Sequence, residues 1–154
     1  MRKLYVIDTN CLIAFYQNVF RNANNYNGSP ELSTKTKTII SQAIISQASD
    51  IRLSIPSVVF IEIFEKWLNS EEFSRNFFYD VFTPLKLSPN IEIRPIDREV
   101  LENLIRIGGN LENHDLHDKL ILATAMTLES PLITTDSAII KYVLSCKSVP
   151  GTLN

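Results

Sequence analysis

Four acidic residues occupy positions where an idle charge would be costly, beside or inside apolar runs: Asp8, Glu62, Asp118 and Asp136. Carboxylates that converge repel one another and bind protons unless cations neutralise them. Hard oxygen ligands favour Mg²⁺ or Mn²⁺ over Zn²⁺. Such an ion can activate a water molecule for attack on a phosphodiester. The four acids therefore predict a magnesium or manganese site that hydrolyses phosphodiester bonds.

The elements that must position these acids follow from the hydrophobic pattern, in which short apolar runs alternate with longer stretches of helical periodicity. This alternation predicts an α/β domain with a mainly parallel sheet. The predicted strands cover residues 3–8, 51–55, 91–94 and 132–135. The predicted helices cover residues 10–20, 34–48, 57–69, 71–82, 97–107, 116–129 and 138–144, with Ser57 and Asp97 as N-caps and an Asn-rich loop over 21–33.

Two of the acids follow predicted strands, and two lie on predicted helices. In open parallel sheets, ligands bind outside the carboxyl ends of the strands. Asp8 and Asp136 stand at such ends, so they meet if their strands are neighbours. The helix that starts near residue 116 then delivers Asp118, and the helix over 57–69 has to bring Glu62 to the same crevice.

Length and composition indicate a single globular domain over residues 1–154, since 45% of the residues are hydrophobic and only four are glycine. The net charge of −2 produces no global positive field, so any site for a polyanion must be local. Cys11 and Cys146 lack metal-binding spacing and are interpreted as reduced thiols. The sequence shows no signal peptide or membrane span, which predicts a cytoplasmic protein.

Four short motifs carry a resemblance to a known family. They are Val6-Ile7-Asp8-Thr9-Asn10, Ser57 followed five positions later by Glu62, Asp118 leading into Leu-Ile-Leu-Ala-Thr-Ala, and Leu-Ile-Thr-Thr135-Asp136. In this order, over residues 4–136, they resemble the motifs of the PIN-domain nucleases. Each motif alone is weak, but all four stand in the family's order.

The resemblance implies a three-layer α/β/α PIN-like fold and Mg²⁺- or Mn²⁺-dependent cleavage of RNA. It also implies metal ligation by Asp8, Glu62, Asp118 and Asp136. The small polar residues Asn10 and Thr135 match positions that support that site. Many members are VapC-type toxins, held inactive by an antitoxin whose tail occupies the acidic groove. RNA and an antitoxin protein are thus the expected substrate and partner.

Each of the four acids also has a purely structural interpretation. Asp8 and Asp136 can each cap the helix that follows. Asp118 can be a first-turn acid that complements the helix dipole, with Asp115 as the cap three residues earlier. Asp115 is the substitute ligand if Asp118 is the wrong choice. It is the presence of all four acids in family order that favours the metal site.

Glu62 interrupts a dense apolar run, and its structural interpretation is an i,i+4 pair with Lys66. We assign Glu62 to the site and Glu65 to the surface. His114 and His117 are interpreted as cap-region or surface residues, because an all-oxygen site does not need imidazole. Among the scattered cations, Lys119 is selected as a substrate contact because it adjoins Asp118.

Four phenylalanines recur at helical spacing, a pattern typical of a core or a homodimer interface: Phe73, Phe77, Phe78 and Phe82. The sequence leaves two other functions open. One is a module of the same fold that binds nucleic acid or protein without cleaving it. A phosphatase or DNA nuclease would use the same ligands.

Overall fold

The computed structural model describes residues 3–46, 48–146 and 149–154. Its strands form one sheet in the order β3-β2-β1-β4-β5, and every neighbouring pair is parallel. They are β1 (Lys3–Ile7), β2 (Ile51–Pro56), β3 (Ile91–Arg94), β4 (Leu132–Ile133) and β5 (Thr152–Leu153). The α/β class and the parallel sheet are confirmed, whereas the short edge strand β5 was not predicted.

Helices flank this sheet and pack against it and against one another. They are α1 (Thr9–Phe15), α2 (Gln17–Phe20), α3 (Thr34–Ile45), α4 (Ser57–Trp67), α5 (Glu71–Phe77), a π-helix (Phe78–Phe82), α6 (Thr83–Leu87), α7 (Arg98–Ile107), α8 (Leu116–Leu128) and α9 (Ser137–Cys146). Helix α8 packs on β1 and on α7, and α3 packs on β2. No helix among the described residues is both long enough and apolar enough to cross a membrane.

Strand β1 lies at the centre of the sheet because its sequence is apolar on both faces. Val6 and Ile7 are fully buried, as expected for a parallel strand covered by helices on each side. Val6 pairs with Leu132 and Ile7 with Ile133. Strands β1 and β4 are therefore neighbours and end side by side, which confirms the arrangement on which the convergence of the acids depended.

The predicted helix over residues 10–20 is broken at Tyr16, whose φ of −100° and ψ of 33° interrupt the helical conformation. Beyond the break, the ring of Phe20 is fully buried. It lies 5.2 Å from Trp67, 5.5 Å from Phe73 and 6.1 Å from Phe77, measured between ring centroids. We attribute the break to this aromatic packing, which a local helical pattern does not reveal.

The prediction that Ser57 caps α4 is wrong. Strand β2 continues through Pro56, which is paired with Arg94 of β3. The helix begins immediately afterwards, with Ser57 as its first residue and no side-chain cap from Pro56. By contrast, Asp97 caps α7 as predicted, since its Oδ1 accepts from the backbone N–H of Val100 at 3.0 Å.

The predicted helix over residues 71–82 extends further and changes its winding, because α5 continues into the π-helix and then α6. Phe73 and Phe77 are buried in the core, while the π-helix leaves Phe78 half exposed.

The predicted helix over residues 34–48 ends at Ile45. Gln47 lies outside the described residues, and Ala48 is in a turn. The loop over 21–33 is confirmed, and Trp67 Nε1 donates to the Asn24 carbonyl at 2.6 Å to anchor it.

Candidate metal centre

The four acids line one cavity of about 120 Å³ at the carboxyl end of the sheet. The other lining residues are Thr9, Asn10, Thr135 and Ile139. All four predicted acids and both predicted supporting residues, Asn10 and Thr135, are thus brought together. Whether they bind a metal is a separate matter, which depends on their charges and contacts.

Asp8 enters the cavity between two strand ends. Its backbone N–H donates to the Ile133 carbonyl at 3.1 Å, which extends the β1–β4 ladder by one step. Its Oδ1 accepts from the Cys11 N–H at 2.8 Å, so Asp8 also caps α1, as the structural interpretation expected. Burial raises the pKa of Asp8 despite hydrogen bonds from Thr134 and Cys11, and the nearby Asp136 raises it further. Capping and a site role are therefore compatible.

Glu62 projects from α4, and its carboxylate is held from α1. The Thr9 hydroxyl donates to Oε1 of Glu62 at 2.6 Å. Burial raises the pKa of Glu62, and the hydrogen bond from Thr9 only partly opposes that effect. The predicted alternative, a pair with Lys66, does not describe this contact, because the Lys66 ammonium lies over the Trp67 ring, 4.9 Å from its centroid.

Asp118 lies in the first turn of α8, three residues after the N-cap. Oδ1 of Asp115 accepts from the Asp118 N–H at 3.0 Å, so Asp115 is the cap, as proposed, and Asp118 faces the cavity. Burial raises the pKa of Asp118 to about 6, and the charges of Asp115 and Glu62 add to the increase. A carboxyl group with so high a pKa gains strongly from a bound cation.

Asp136 differs from the other three acids because several N–H groups bind it. Oδ1 accepts from the backbone N–H groups of Ala138 and Ile139 at 2.9 and 3.0 Å. Oδ2 lies 2.8 Å from Nε2 of His114. Burial alone would raise the pKa of Asp136, but the Ile139 N–H and the His114 imidazole outweigh it and lower the pKa. Asp136 is therefore ionised more readily than its neighbours.

The chemistry of this donor set fits a hard divalent cation. Three buried or half-buried carboxyl groups have raised pKa values, because burial destabilises their negative charges more than the surrounding groups compensate. In the described part of the chain, the ion pairs made by arginine and lysine lie elsewhere and join Arg94 to Glu92 and Asp97. A metal ion would supply the missing positive charge, and oxygen donors of this kind select Mg²⁺ or Mn²⁺.

The interpretation of His114 as a cap-region residue is confirmed, because it directly precedes Asp115, the N-cap of α8. Its side chain is nevertheless only 12% exposed and contacts Asp136. His117 lies at the rim, with its ring nitrogens 3.5 Å from Glu65 and Asp115. Burial would lower the pKa of His117, but the hydrogen bond to Asp115 and the surrounding carboxylates raise it. Glu65 is exposed, in agreement with its assignment to the surface.

Lys119 is not among the residues that line the cavity. Its Nζ donates to the Gly108 carbonyl at 3.2 Å, where the positive charge complements the C-terminus of α7. Lys119 and Asp118 are consecutive helical residues and therefore point about 100° apart. The selection of Lys119 as a substrate contact receives no support from this position.

Sequence reasoning missed two residues that hold the acids in place, Thr9 and His114. Thr9 carried a signal, because it stands between Asp8 and Asn10 in the first motif and starts the helix on the cavity side. His114 carried none, since its approach to Asp136 depends on the path of the turn after α7. That turn includes Leu111 in a left-handed conformation, with a φ of 59°.

Comparisons with known proteins give matches in three dimensions only, because neither a protein-family model nor a curated protein sequence matches the chain. One similar solved chain is in the structure of VapBC2 from Rickettsia felis bound to a DNA fragment from their promoter. It has a TM-score of 0.60 and 16% identity, and 98% of each chain is covered. Another is in the structure of FitAcB from Neisseria gonorrhoeae, with a TM-score of 0.56, 16% identity, and coverage of 97% of this chain and 96% of that one. The chain therefore has a PIN-like α/β/α fold around a parallel sheet.

Proposed function

We propose that this protein is a Mg²⁺- or Mn²⁺-dependent endoribonuclease that acts as the toxin of a toxin-antitoxin pair. The observation that carries the proposal is the convergence of four carboxylates in one small cavity at the carboxyl end of a parallel sheet. Folding brings these charges together at an energetic cost, and a bound cation would relieve it. The choice of RNA over DNA rests on the resemblance of the sequence motifs to the PIN-domain nucleases.

Asp8, Glu62, Asp118 and Asp136 would hold the metal, and identified hydrogen bonds orient three of these carboxylates. Thr9 orients Glu62, the Cys11 N–H orients Asp8, and the start of α9 orients Asp136. When bound, a divalent ion supplies a Lewis acid that polarises a phosphodiester oxygen and acidifies water. The cavity of about 120 Å³ is lined mainly by carboxyl and small polar groups, which suit a metal-bound phosphate group, and we propose that the bases are recognised outside it.

Asn10 and Thr135 provide neutral polar groups beside these acids. Asn10 is exposed at the mouth of the cavity and Thr135 is partly buried. Because an amide and a hydroxyl donate hydrogen bonds without adding negative charge, they suit contacts to phosphate or ribose oxygens. We propose that both residues position the substrate or water next to the carboxylates.

The test is cleavage of labelled single-stranded RNA and DNA by the purified protein with Mn²⁺, with Mg²⁺ and with chelator. Asp8→Asn is the inactivating variant, and Asp97→Asn is its matched control, because Asp97 is also an N-cap aspartate but caps α7. We expect metal-dependent RNA cleavage by the wild type and Asp97→Asn, with loss in Asp8→Asn. Equal cleavage by all three proteins would contradict the mechanism.

The same experiment, extended by a Mn²⁺ titration and a phosphomonoester substrate, separates the competing functions. Preferential cleavage of DNA would favour a DNA nuclease with the same ligands. Metal binding without cleavage of any strand would favour a module of this fold that only binds nucleic acid or protein. Release of phosphate from a monoester would favour a phosphatase.

The antitoxin partner is proposed because the sequence motifs resemble those of VapC-type toxins, and because one of the similar structures is that of VapBC2. The acidic cavity suits a basic segment of a partner, since a positive charge there would replace the cation. Induction of the wild-type chain should arrest bacterial growth, and co-expression of a short adjacent reading frame should relieve the arrest. Harmless expression of an active nuclease would remove the toxin role and leave the enzymatic proposal intact.

The homodimer predicted from the aromatic run is proposed at an apolar groove formed by α4, α5 and the π-helix. The groove has a volume of about 300 Å³ and is lined by Phe64, Leu68, Phe73, Ser74, Phe77, Phe78 and Phe82. Leu68 and Phe78 are about half exposed. A second copy of this chain would cover these side chains, which water otherwise contacts.

A further inference from the structure

His114 is a buried polar side chain at the wall of the candidate metal centre. Its Nε2 lies 2.8 Å from Oδ2 of Asp136, and only 12% of its side chain is exposed. It directly precedes Asp115, the N-cap of α8. Because burying an imidazole is costly unless it forms hydrogen bonds, this contact accounts for a polar group at that position.

The hydrogen-bond pattern assigns the donor in this contact. Oδ1 of Asp136 already accepts from the N–H groups of Ala138 and Ile139, and Oδ2 is the oxygen that lies against His114. An ionised carboxylate only accepts hydrogen bonds, so Nε2 of His114 carries the hydrogen. Three N–H groups then fix the orientation of Asp136, and Oδ2 keeps a lone pair free for a cation.

An imidazole at this place could instead bind the cation directly. One ligand atom each from His114, Asp118 and Asp136 lie within 4.8 Å of one another. Ligation through Nε2 would move the hydrogen to Nδ1, which is buried and has no hydrogen-bond partner among the described residues. Metal-binding histidines almost always donate their other N–H to a partner. The lack of one favours the role of donor to Asp136.

We propose that His114 is a positioning residue of the metal centre, whose Nε2–H holds the Asp136 carboxylate in the orientation that receives the cation beside Asp118. The inference rests on the proposed metal-dependent function and adds a residue that the four acidic motifs do not contain. Loss of an outer partner of a metal ligand weakens metal binding by about 10–100-fold. A change of that size is expected when the donor is removed.

The test measures Mn²⁺ affinity by titration, followed by electron paramagnetic resonance of the free ion, so that it does not depend on catalysis. His114→Leu removes the donor, and His114→Gln keeps a neutral N–H donor near the position of Nε2. The matched control is Asn103→Leu, which removes another partly buried side-chain hydrogen bond to α8, from Asn103 Nδ2 to Thr127 Oγ1 at 2.9 Å. Circular dichroism verifies that each variant folds.

We expect His114→Leu to bind Mn²⁺ about 10–100-fold more weakly, while His114→Gln and Asn103→Leu stay within about threefold of the wild type. In an Asp136→Asn background, the further change His114→Leu should have little effect, because partners in one interaction are not additive. Unchanged affinity in His114→Leu would overturn the proposal. His114 would instead be a metal ligand if His114→Leu weakened Mn²⁺ binding as much in the Asp136→Asn background as in the wild type. A nitrogen coupling to bound Mn²⁺ in the spin-echo spectrum would lead to the same conclusion.

These outcomes separate the two levels of inference. A wild-type protein that binds no Mn²⁺ at millimolar concentration contradicts the proposed metal-dependent function, and the role of His114 with it. Wild-type binding that is insensitive to His114→Leu contradicts only the positioning role. Binding that depends on His114, in a protein that cuts no RNA, supports the positioning role and contradicts the nuclease.

Discussion

The hydroxyl of Thr9 on α1 donates to Oε1 of Glu62 on α4 over 2.6 Å, and so links two elements 53 residues apart. Thr9 is buried, with 5% of its surface exposed. The contact fixes the only one of the four acids that must reach the cavity from the middle of a helix. It therefore joins the packing of α1 on α4 to the geometry of the proposed metal centre.

The first prediction is that Thr9→Val weakens both stability and function. Removing the hydroxyl leaves a half-buried carboxylate oxygen without its donor, which costs about 1–3 kcal/mol. Denaturant unfolding measures this loss, and RNA cleavage should fall by about tenfold or more, in line with loss of an outer partner of a metal ligand. Thr9→Ser is the control, because it restores the hydroxyl; equal loss in both variants would show that the methyl packing matters instead.

The second prediction is that Asp8→Asn separates function from stability. Cleavage should fall by at least about 100-fold, because loss of an outer partner alone costs about 10–100-fold. In chelator, however, the melting temperature should rise, since asparagine can still cap α1 through its carbonyl oxygen and the buried charge is gone. Differential scanning calorimetry with and without Mn²⁺ tests this. A lower melting temperature in chelator would contradict it.

The third prediction concerns pH in the absence of metal. The folded-state pKa of Asp118, about 6, exceeds its ordinary value of 3.8, so between these values the folded protein binds a proton that the unfolded chain does not. The stability in chelator should therefore increase as the pH falls from about 6 to about 4. Asp8 and Glu62 act in the same direction, because burial raises the pKa of both.

Melting temperatures in chelator between pH 7 and pH 4 test this sign. Asp118→Asn should flatten the profile in that window, because the variant has no carboxyl group to titrate there. Asp97 is the internal contrast, since the Val100 N–H and Arg94 outweigh a small burial effect and lower its pKa. The stabilisation that ionised Asp97 contributes is lost only below the pH range in which Asp118 titrates. A melting temperature of the wild type that falls steadily as the pH is lowered from 6 would contradict the prediction.

The fourth prediction concerns the apolar groove and the proposed homodimer. Phe78→Ser replaces a half-exposed ring at the groove, whereas Leu144→Ser replaces a more exposed apolar residue on α9. If a second copy covers the groove, Phe78→Ser should shift the molar mass measured by light scattering from dimer to monomer. Leu144→Ser should leave the mass unchanged. A wild-type mass of about 17.5 kDa would contradict the homodimer.

The local sequence was sufficient to predict those elements that depend only on residues within one short segment. The apolar run before Asp8 specified a buried strand, because a parallel strand that is covered by helices on both faces has apolar residues at consecutive positions. Asp97 and Asp115 specified helix starts because a cap involves only the next three residues. The order of the four acidic motifs specified which carboxylates to expect in the cavity.

Tertiary structure decided what depends on contacts between distant segments. The break at Tyr16, the start of α4 at Ser57 and strand β5 each depend on packing or pairing with a partner remote in sequence. Propensity is only a weak guide where tertiary packing competes with it. The direction of Lys119 likewise follows from the position of Gly108 on the neighbouring helix end.

The sequence by itself therefore determined the fold class and the four acids, since apolar periodicity and motif order are properties of the chain. Only the tertiary structure decided how those acids are held. Thr9 reaches Glu62 and His114 reaches Asp136 because α1 meets α4, and the turn after α7 passes the start of α9. Hydrogen bonds act over about 3 Å, a distance that spacing along the chain does not specify.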